Sequence, residues 1–86
     1  MNVSFTENAL SEYISWQMED KKTLRRINEL IKSIQRDGFR QGIGKPEVLK
    51  GREEYSRRID DVNRLVYTAD ENQNLVILSC KGHYED

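Results

Sequence analysis

Four side chains in the second half of the chain could move protons or hold a phosphate group: Glu47, Arg58, Arg64 and His83. In RNA, the ribose 2′-hydroxyl can attack its own phosphodiester when a base removes its proton and an acid protonates the leaving 5′-oxygen. Arginine side chains can stabilise the negative charge of the pentavalent transition state. This set could therefore cleave RNA without a metal ion, whereas DNA lacks the 2′-hydroxyl that the chemistry needs.

Each of these residues also has a purely structural interpretation. Glu47 could be an ordinary loop carboxylate, and His83 could be a solvated histidine near the end of the sequence. The two arginines could form ion pairs with the carboxylates of Glu53, Asp60 or Asp61. Composition and spacing alone leave these alternatives open.

Other kinds of site fit the sequence poorly. The segment GKPEVLKG at residues 44–51 resembles a phosphate-binding loop only in part, because Pro46 follows Lys45 and position 39 is not glycine. A P-loop needs GxxxxGK followed by Ser or Thr, between a strand and a helix. A single histidine, a single cysteine and scattered carboxylates form no HExxH, CxxC or acidic cluster. We therefore expect no metal ion and no other cofactor.

Length and composition predict one small domain spanning residues 1–86. The chain is 36% apolar and 34% charged, which allows a single modest core. No apolar run reaches the length of a membrane span, and the first residues lack the features of a signal peptide. Cys80 has no partner cysteine for a disulfide, which indicates a cytoplasmic protein. Its side chain is expected to pack in the core as a small apolar group. The net charge of −1 means that any site for a polyanion must be a local patch.

Two helices are predicted in the first half of the chain. Thr6 and Asp20 are candidate N-caps, and Gly38 is suited to end the second helix in a left-handed turn. The first helix, over residues 7–19, is expected to bury one stripe, flanked by Trp16: Leu10, Tyr13, Ile14 and Gln17. The second is expected to bury Leu24, Ile27, Leu30, Ile31 and Ile34. Its many lysines and arginines are interpreted as mostly solvated surface.

The strands complete an α+β fold. Residues 3–5 alternate as in a short strand, residues 38–52 are predicted to be irregular, and three further strands are expected at about 54–60, 63–69 and 74–80. The last two are expected to form a hairpin through the turn at 70–74. The predicted order is β-α-α-β-β-β, with two helices packed on one face of a small, mostly antiparallel sheet.

Strand alternation places the two arginines. If Ile59 faces the helices, Arg58 points to the open face of the sheet, because successive side chains alternate. If Leu65 and Tyr67 face the core, Arg64 also lies on the open face. Two arginines on an uncovered face form a candidate anion site.

Four segments, taken in order, resemble the YoeB family of toxins from bacterial toxin–antitoxin pairs, within the RelE-like superfamily: YISWQMEDKKTLRRINELIK, GKPEVLKG, YSRRIDDVNRLVY and CKGHY. The resemblance spans essentially the whole chain and implies the RelE-like fold. It also implies a ribosome-dependent endonuclease that cuts messenger RNA at the A-site codon and so inhibits translation. The implied partners are the ribosome, a YefM-like antitoxin and a second copy of the chain in a homodimer, with no membrane.

The same resemblance assigns roles to individual residues. Glu47 resembles the general base for the 2′-hydroxyl, and His83 the general acid for the 5′-oxygen. Arg64 and Arg58 resemble contacts to the scissile phosphate, and Tyr84 a residue that positions the nucleotide. Two lysines are expected to contact the RNA backbone: Lys45 and Lys50. The loop at 44–51 is then a turn, shaped by its glycine and proline, that brings the carboxylate to the edge of the sheet.

Two points remain open at this level. Glu85 and Asp86 follow the terminal tyrosine of the family pattern, and their charges would either weaken RNA binding or favour the protonated form of the histidine.

ParE-type toxins share the fold but act on DNA gyrase by protein contacts, and a toxin that has lost its activity could persist as a partner of its antitoxin. The joint presence of Glu47, Arg64 and His83 favours the nuclease.

Overall fold

The computed structural model describes residues 1–49, 51 and 53–82, and these form an α+β domain. Its elements in chain order are β1 (Val3–Phe5), α1 (Glu7–Glu19), α2 (Lys21–Asp37), β2 (Glu47–Val48), β3 (Glu54–Arg58), β4 (Arg64–Ala69) and β5 (Leu75–Ser79). The predicted helices and main strands are confirmed. The prediction that residues 38–52 are irregular was wrong at one point, because β2 forms within that segment.

The five strands form one sheet in the order β1-β5-β4-β3-β2. β1 runs parallel to β5, and the other neighbouring pairs are antiparallel. Both helices contribute to a core that covers one face of the sheet and is built around fully buried residues: Ala9, Ile27, Leu30, Ile34, Leu65, Tyr67, Leu75 and Ile77. The predicted two-layer arrangement is therefore confirmed, with one face of the sheet free of helices. No helix among the described residues has the length and apolar character to cross a membrane.

The helix ends follow the predicted capping. The Thr6 hydroxyl accepts a hydrogen bond from the Ala9 N–H at 3.1 Å and starts α1. The Asp20 carboxylate accepts from the Lys22 N–H at 3.0 Å and starts α2. Gly38, with a φ of +99°, ends α2. These local signals separate two helices that have only one residue between them.

The predicted inward stripe of α1 was wrong except at Tyr13, which is half-buried and packs against the core. Leu10 and Ile14 are 47% and 51% exposed, whereas Ala9 and Trp16 are buried. The cause is the indole of Trp16, which offers more apolar surface than any other residue of the helix and donates a hydrogen bond to the Cys80 carbonyl at 2.9 Å. Burying it turns the helix so that small Ala9 faces the sheet and the two branched aliphatic residues face outward.

Cys80 packs in the core as predicted. It is 0% exposed, and its N–H donates to the Glu12 carboxylate at 2.8 Å. Burial raises the pKa of the thiol to about 12. Since the thiolate is the reactive form of cysteine, this residue is unsuited to act as a nucleophile.

Candidate active site

Arg58 and Arg64 are direct cross-strand partners at the end of the β3–β4 pair. Residues opposite each other in an antiparallel pair project from the same face of the sheet. Leu65, next to Arg64, is fully buried among the helices, so both arginines lie on the face that the helices do not cover. The prediction from strand alternation is confirmed.

The Arg64 guanidinium is held by the turn between β3 and β4. Its Nη1 donates to the Asp60 carbonyl at 2.7 Å and to the Asn63 carbonyl at 3.1 Å. Within the described part of the chain, Nε and Nη2 make no hydrogen bond, and neither arginine forms an ion pair with a carboxylate. The predicted alternative of close ion pairs with Glu53, Asp60 or Asp61 is not seen among the described residues. Arg64 nevertheless acts on Asp60: burial raises the pKa of that carboxyl, but hydrogen bonds from Asn63 and Val62 together with the charge of Arg64 lower it overall. The Arg64 guanidinium is thus fixed at Nη1, while no described residue binds its other side.

Glu47 joins this face through β2. It lies opposite Ser56 in the β2–β3 pair, and Ser56 is two residues before Arg58, so the three side chains share one face. In an antiparallel pair, diagonal neighbours such as Glu47 and Arg58 are separated by about 7–8 Å. Glu47 is exposed. The expectation that the loop brings this carboxylate to the sheet edge is confirmed.

The loop before β2 is hydrogen-bonded to strand β3. The Gly44 carbonyl accepts a hydrogen bond from the Arg58 N–H at 2.7 Å. Lys45 follows with a φ of +52° and an exposed side chain. A Cβ on Gly44 would lie 2.6 Å from the Leu30 side chain, so the backbone passes close over the core. Lys45 therefore follows a residue whose backbone is bonded to Arg58, and its side chain is exposed.

His83, Tyr84 and Lys50 lie outside the described residues, so the predictions for them remain predictions. The chain is nevertheless fixed at Gly82, immediately before the histidine. The Gly82 N–H donates to Asn63 Oδ1 at 2.7 Å, and its carbonyl accepts from the Arg64 N–H at 3.0 Å. The last described residue of the C-terminal segment therefore contacts the candidate phosphate-binding arginine directly.

Arg57, which was not among the residues predicted from the sequence, lies on the helix side of the sheet with 0% exposure. Its Nε donates to the Tyr67 hydroxyl at 2.8 Å, and its Nη1 to the Ser33 hydroxyl at 2.9 Å. Burial raises the pKa of Tyr67, which keeps the hydroxyl protonated, and it donates to the Phe39 carbonyl at 2.6 Å. The alternation that placed Arg58 on the open face also places Arg57 on the helix side, which is the signal that could have found it.

Gly42 packs against this buried cluster in a way that only glycine allows. Its φ is +113°, and a Cβ would lie 2.8 Å from Asp37 Oδ2, 2.9 Å from Arg57 Nη1 and closer still to Ser33 Oγ. We predict that Gly42→Ala lowers the free energy of unfolding by about 2–4 kcal/mol, measured by urea denaturation, because backbone strain and overpacking add.

Gly51→Ala is the matched control for this prediction. Its φ is +72°, but a Cβ there would meet no described part of the chain within 4 Å. Gly51→Ala should lower the free energy of unfolding by only about 1 kcal/mol, which is the cost of holding alanine at a positive φ. Equal costs for the two variants would contradict the close packing at Gly42.

The described residues also form a concave region that does not include these side chains. It has a volume of about 490 Å³ and is lined in part by Arg40, Val48, Tyr55 and Asp70. None of the predicted site residues lines it, and the Arg40 guanidinium stacks over the Tyr55 ring at 5.8 Å. The candidate site is therefore the open face that carries Glu47 and the two arginines.

Comparison with known proteins gives a consistent family. The family described as YoeB-like toxin of bacterial type II toxin–antitoxin system matches residues 5–84. Toxin YoeB of Synechocystis sp. is 49% identical over 87 residues, covering 99% of each chain. A YoeB dimer from Staphylococcus aureus superposes with a TM-score of 0.90 at 49% identity, covering 98% of each chain. A heterotetrameric YoeB–YefM toxin–antitoxin complex from the same organism superposes with a TM-score of 0.88 at 50% identity, again covering 98% of each chain.

Proposed function

The chain belongs to the family of YoeB-like toxins of bacterial type II toxin–antitoxin systems, and on this premise we propose that it is a ribosome-dependent messenger-RNA endonuclease. It cuts the codon in the A site and so stops translation. The observation that carries this proposal is the placement of one exposed carboxylate, Glu47, diagonal to Arg58 on the face that also holds Arg64. A base beside two cations is the arrangement that attack by a 2′-hydroxyl requires.

In the proposed mechanism, the Glu47 carboxylate accepts the proton of the ribose 2′-hydroxyl as its oxygen attacks the neighbouring phosphorus. Arg64, and Arg58 opposite it, donate hydrogen bonds to the phosphoryl oxygens, whose charge increases in the transition state. The P–O5′ bond then breaks, giving a 2′,3′-cyclic phosphate and a free 5′-hydroxyl. Arg64 is suited to this role because two backbone carbonyls already fix its Nη1.

The remaining roles complete the reaction. His83 donates the proton to the leaving 5′-oxygen, and Tyr84 positions the nucleotide. Lys45 and Lys50 contact the RNA backbone. The fixed position of Gly82 against Arg64 supports this assignment, since the residue that follows Gly82 in sequence is the histidine.

Cleavage should not require a divalent cation. We expect the purified protein to cut messenger RNA on ribosomes in excess EDTA, after the ribosomes have been stabilised with polyamine, because the proton transfers use side chains alone. The products should carry a 2′,3′-cyclic phosphate or, after its hydrolysis, a 3′-phosphate. An activity that returns only when Mg²⁺ or Mn²⁺ is added, with ribosomes intact throughout, would contradict this mechanism.

The proposed partners are a YefM-like antitoxin, the ribosome with its messenger RNA, and a second copy of the chain, within the cytoplasm. The antitoxin and the homodimer are supported by the complexes that similar toxins form. A ribosome pull-down beside a gyrase supercoiling assay separates the nuclease from a gyrase-directed toxin of the same fold. Inhibition of gyrase without binding to ribosomes would favour the gyrase-directed alternative.

A further inference from the structure

The Arg57 side chain uses its whole hydrogen-bonding capacity inside the protein. Besides the hydroxyls of Tyr67 and Ser33, its Nη1 donates to the Ile43 carbonyl at 3.1 Å, and its Nη2 donates to the Gly38 carbonyl at 2.8 Å and to the Gln41 carbonyl. A guanidinium has five N–H groups, and all of them are engaged here. The residue therefore binds three carbonyls of a single loop.

This loop leads directly to the proposed general base. It starts at the end of α2, passes over the buried guanidinium at residues 38–43, and reaches β2 after Pro46. The Ile43 N–H donates to the Ser33 hydroxyl at 3.2 Å, so both backbone groups of that residue bind the same cluster. The Tyr67 hydroxyl, which accepts a hydrogen bond from Arg57, donates one to the carbonyl of Phe39 in the same loop. Residues 38–43 are thus held to the sheet mainly through the Arg57 side chain, and the bond of the Gly44 carbonyl to the Arg58 N–H continues the attachment toward Glu47.

The charge of this buried cation is balanced without a direct salt bridge. Among the described residues, no carboxylate contacts the guanidinium. Asp37 lies one hydrogen bond further away, accepting from the Ser33 hydroxyl at 3.0 Å. Carbonyl dipoles from the loop supply the rest of the compensation, so the loop conformation and the burial of Arg57 depend on each other.

We infer that Arg57 is a positioning residue that sets the place of Glu47 relative to Arg58 and Arg64. The two consecutive arginines of β3 then act from opposite faces of the sheet. Arg58 presents its side chain to the phosphate on the open face, while Arg57 holds the loop that carries the base from behind. This inference rests on the proposed function, and it extends that function to a residue that never touches RNA.

The test is a double-mutant cycle measured as single-turnover cleavage of ribosome-bound messenger RNA. Arg57→Met is expected to slow cleavage at least about tenfold, because small displacements of a catalytic group cost large factors in rate. The ribosome concentration that gives half the maximal rate should change by less than about twofold, since no RNA contact is lost. In the Glu47→Ala background, Arg57→Met should change the residual rate by less than about twofold.

Two further variants distinguish positioning from general damage. Arg57→Lys keeps the charge but has fewer donors and no fork, and should restore part of the lost rate. Arg36→Met removes an exposed arginine that pairs with Asp37 at 3.1 Å, and should leave the rate within about twofold of wild type. If Arg57→Met does not fold, Tyr67→Phe replaces it, because it removes one partner of the guanidinium and should slow cleavage about two- to fivefold.

Each outcome decides the inference. A loss that appears only when Glu47 is present supports positioning. Equal losses in both backgrounds, or no loss with Glu47 present, overturn it while leaving the proposed function intact. If Glu47→Ala alone cuts at the wild-type rate, Glu47 is not the general base and the role of Arg57 fails with it. If the wild-type protein does not cut ribosome-bound messenger RNA, the proposed function itself is wrong.

Discussion

Glu47→Ala should reduce the rate of messenger-RNA cleavage on ribosomes by at least about a hundredfold, because a positioned general base typically contributes about 10²–10⁴-fold. The side chain is exposed on the two-residue strand β2, so its removal should leave the free energy of unfolding within about 0.5 kcal/mol of wild type. The measurement is the single-turnover rate at saturating ribosome concentration, with thermal unfolding measured on the same samples.

Two variants control this result. Glu47→Gln keeps the size and polarity of the side chain but cannot accept the proton as a carboxylate does, and should be nearly as slow as the alanine variant. Glu53→Ala removes an exposed carboxylate from the loop before β3 and should cut at the wild-type rate. A slow Glu53→Ala would show that net charge rather than proton transfer sets the rate, whereas an active Glu47→Gln would show that no carboxylate is needed at this position.

Arg64→Ala should reduce the maximal rate by about 10²–10³-fold, the usual effect of removing one preorganised donor to a transition state. The contact of its backbone N–H with the Gly82 carbonyl does not involve the side chain and should persist. The lost side-chain bonds go to the Asp60 and Asn63 carbonyls in an exposed turn, where water can replace them. The expected effect is therefore on rate more than on folding.

The control for this variant separates a local contact from a general electrostatic effect. Arg40→Ala makes the same change in charge at an exposed residue over Tyr55, away from the proposed site. Binding to ribosomal RNA is sensitive to charge and salt, so both variants should weaken ribosome binding modestly. Only Arg64→Ala should lower the rate at saturation. Equal maximal rates for the two variants would contradict the proposed phosphate contact.

Local signals in the sequence were sufficient for the helix ends and for the open-face arginines. A cap depends on one side chain and the next few N–H groups, so Thr6 and Asp20 could be recognised from the sequence. Strand alternation has a period of two that depends little on the surroundings, and it placed Arg58 and Arg64 correctly.

Features that depend on distant contacts could not be predicted in the same way. Strand β2 has only two residues and exists because it pairs with β3, so no periodicity marks it. The inward face of α1 was decided by the partner of Trp16 at the end of β5 rather than by the count of aliphatic residues. Strand alternation puts Arg57 on the helix side, but its burial as a charged residue depends on loop carbonyls, distant in sequence, that accept its hydrogen bonds.

The central claim is that the chain cuts messenger RNA in register with translation, using Glu47. The most direct measurement maps the 3′ ends of cellular messenger RNA after brief expression of the chain without an antitoxin, beside an equal level of Glu47→Ala. We predict ends that accumulate at a fixed position within codons of translated regions and are absent with the variant. Ends with no relation to the reading frame, or the same ends with Glu47→Ala, would contradict it.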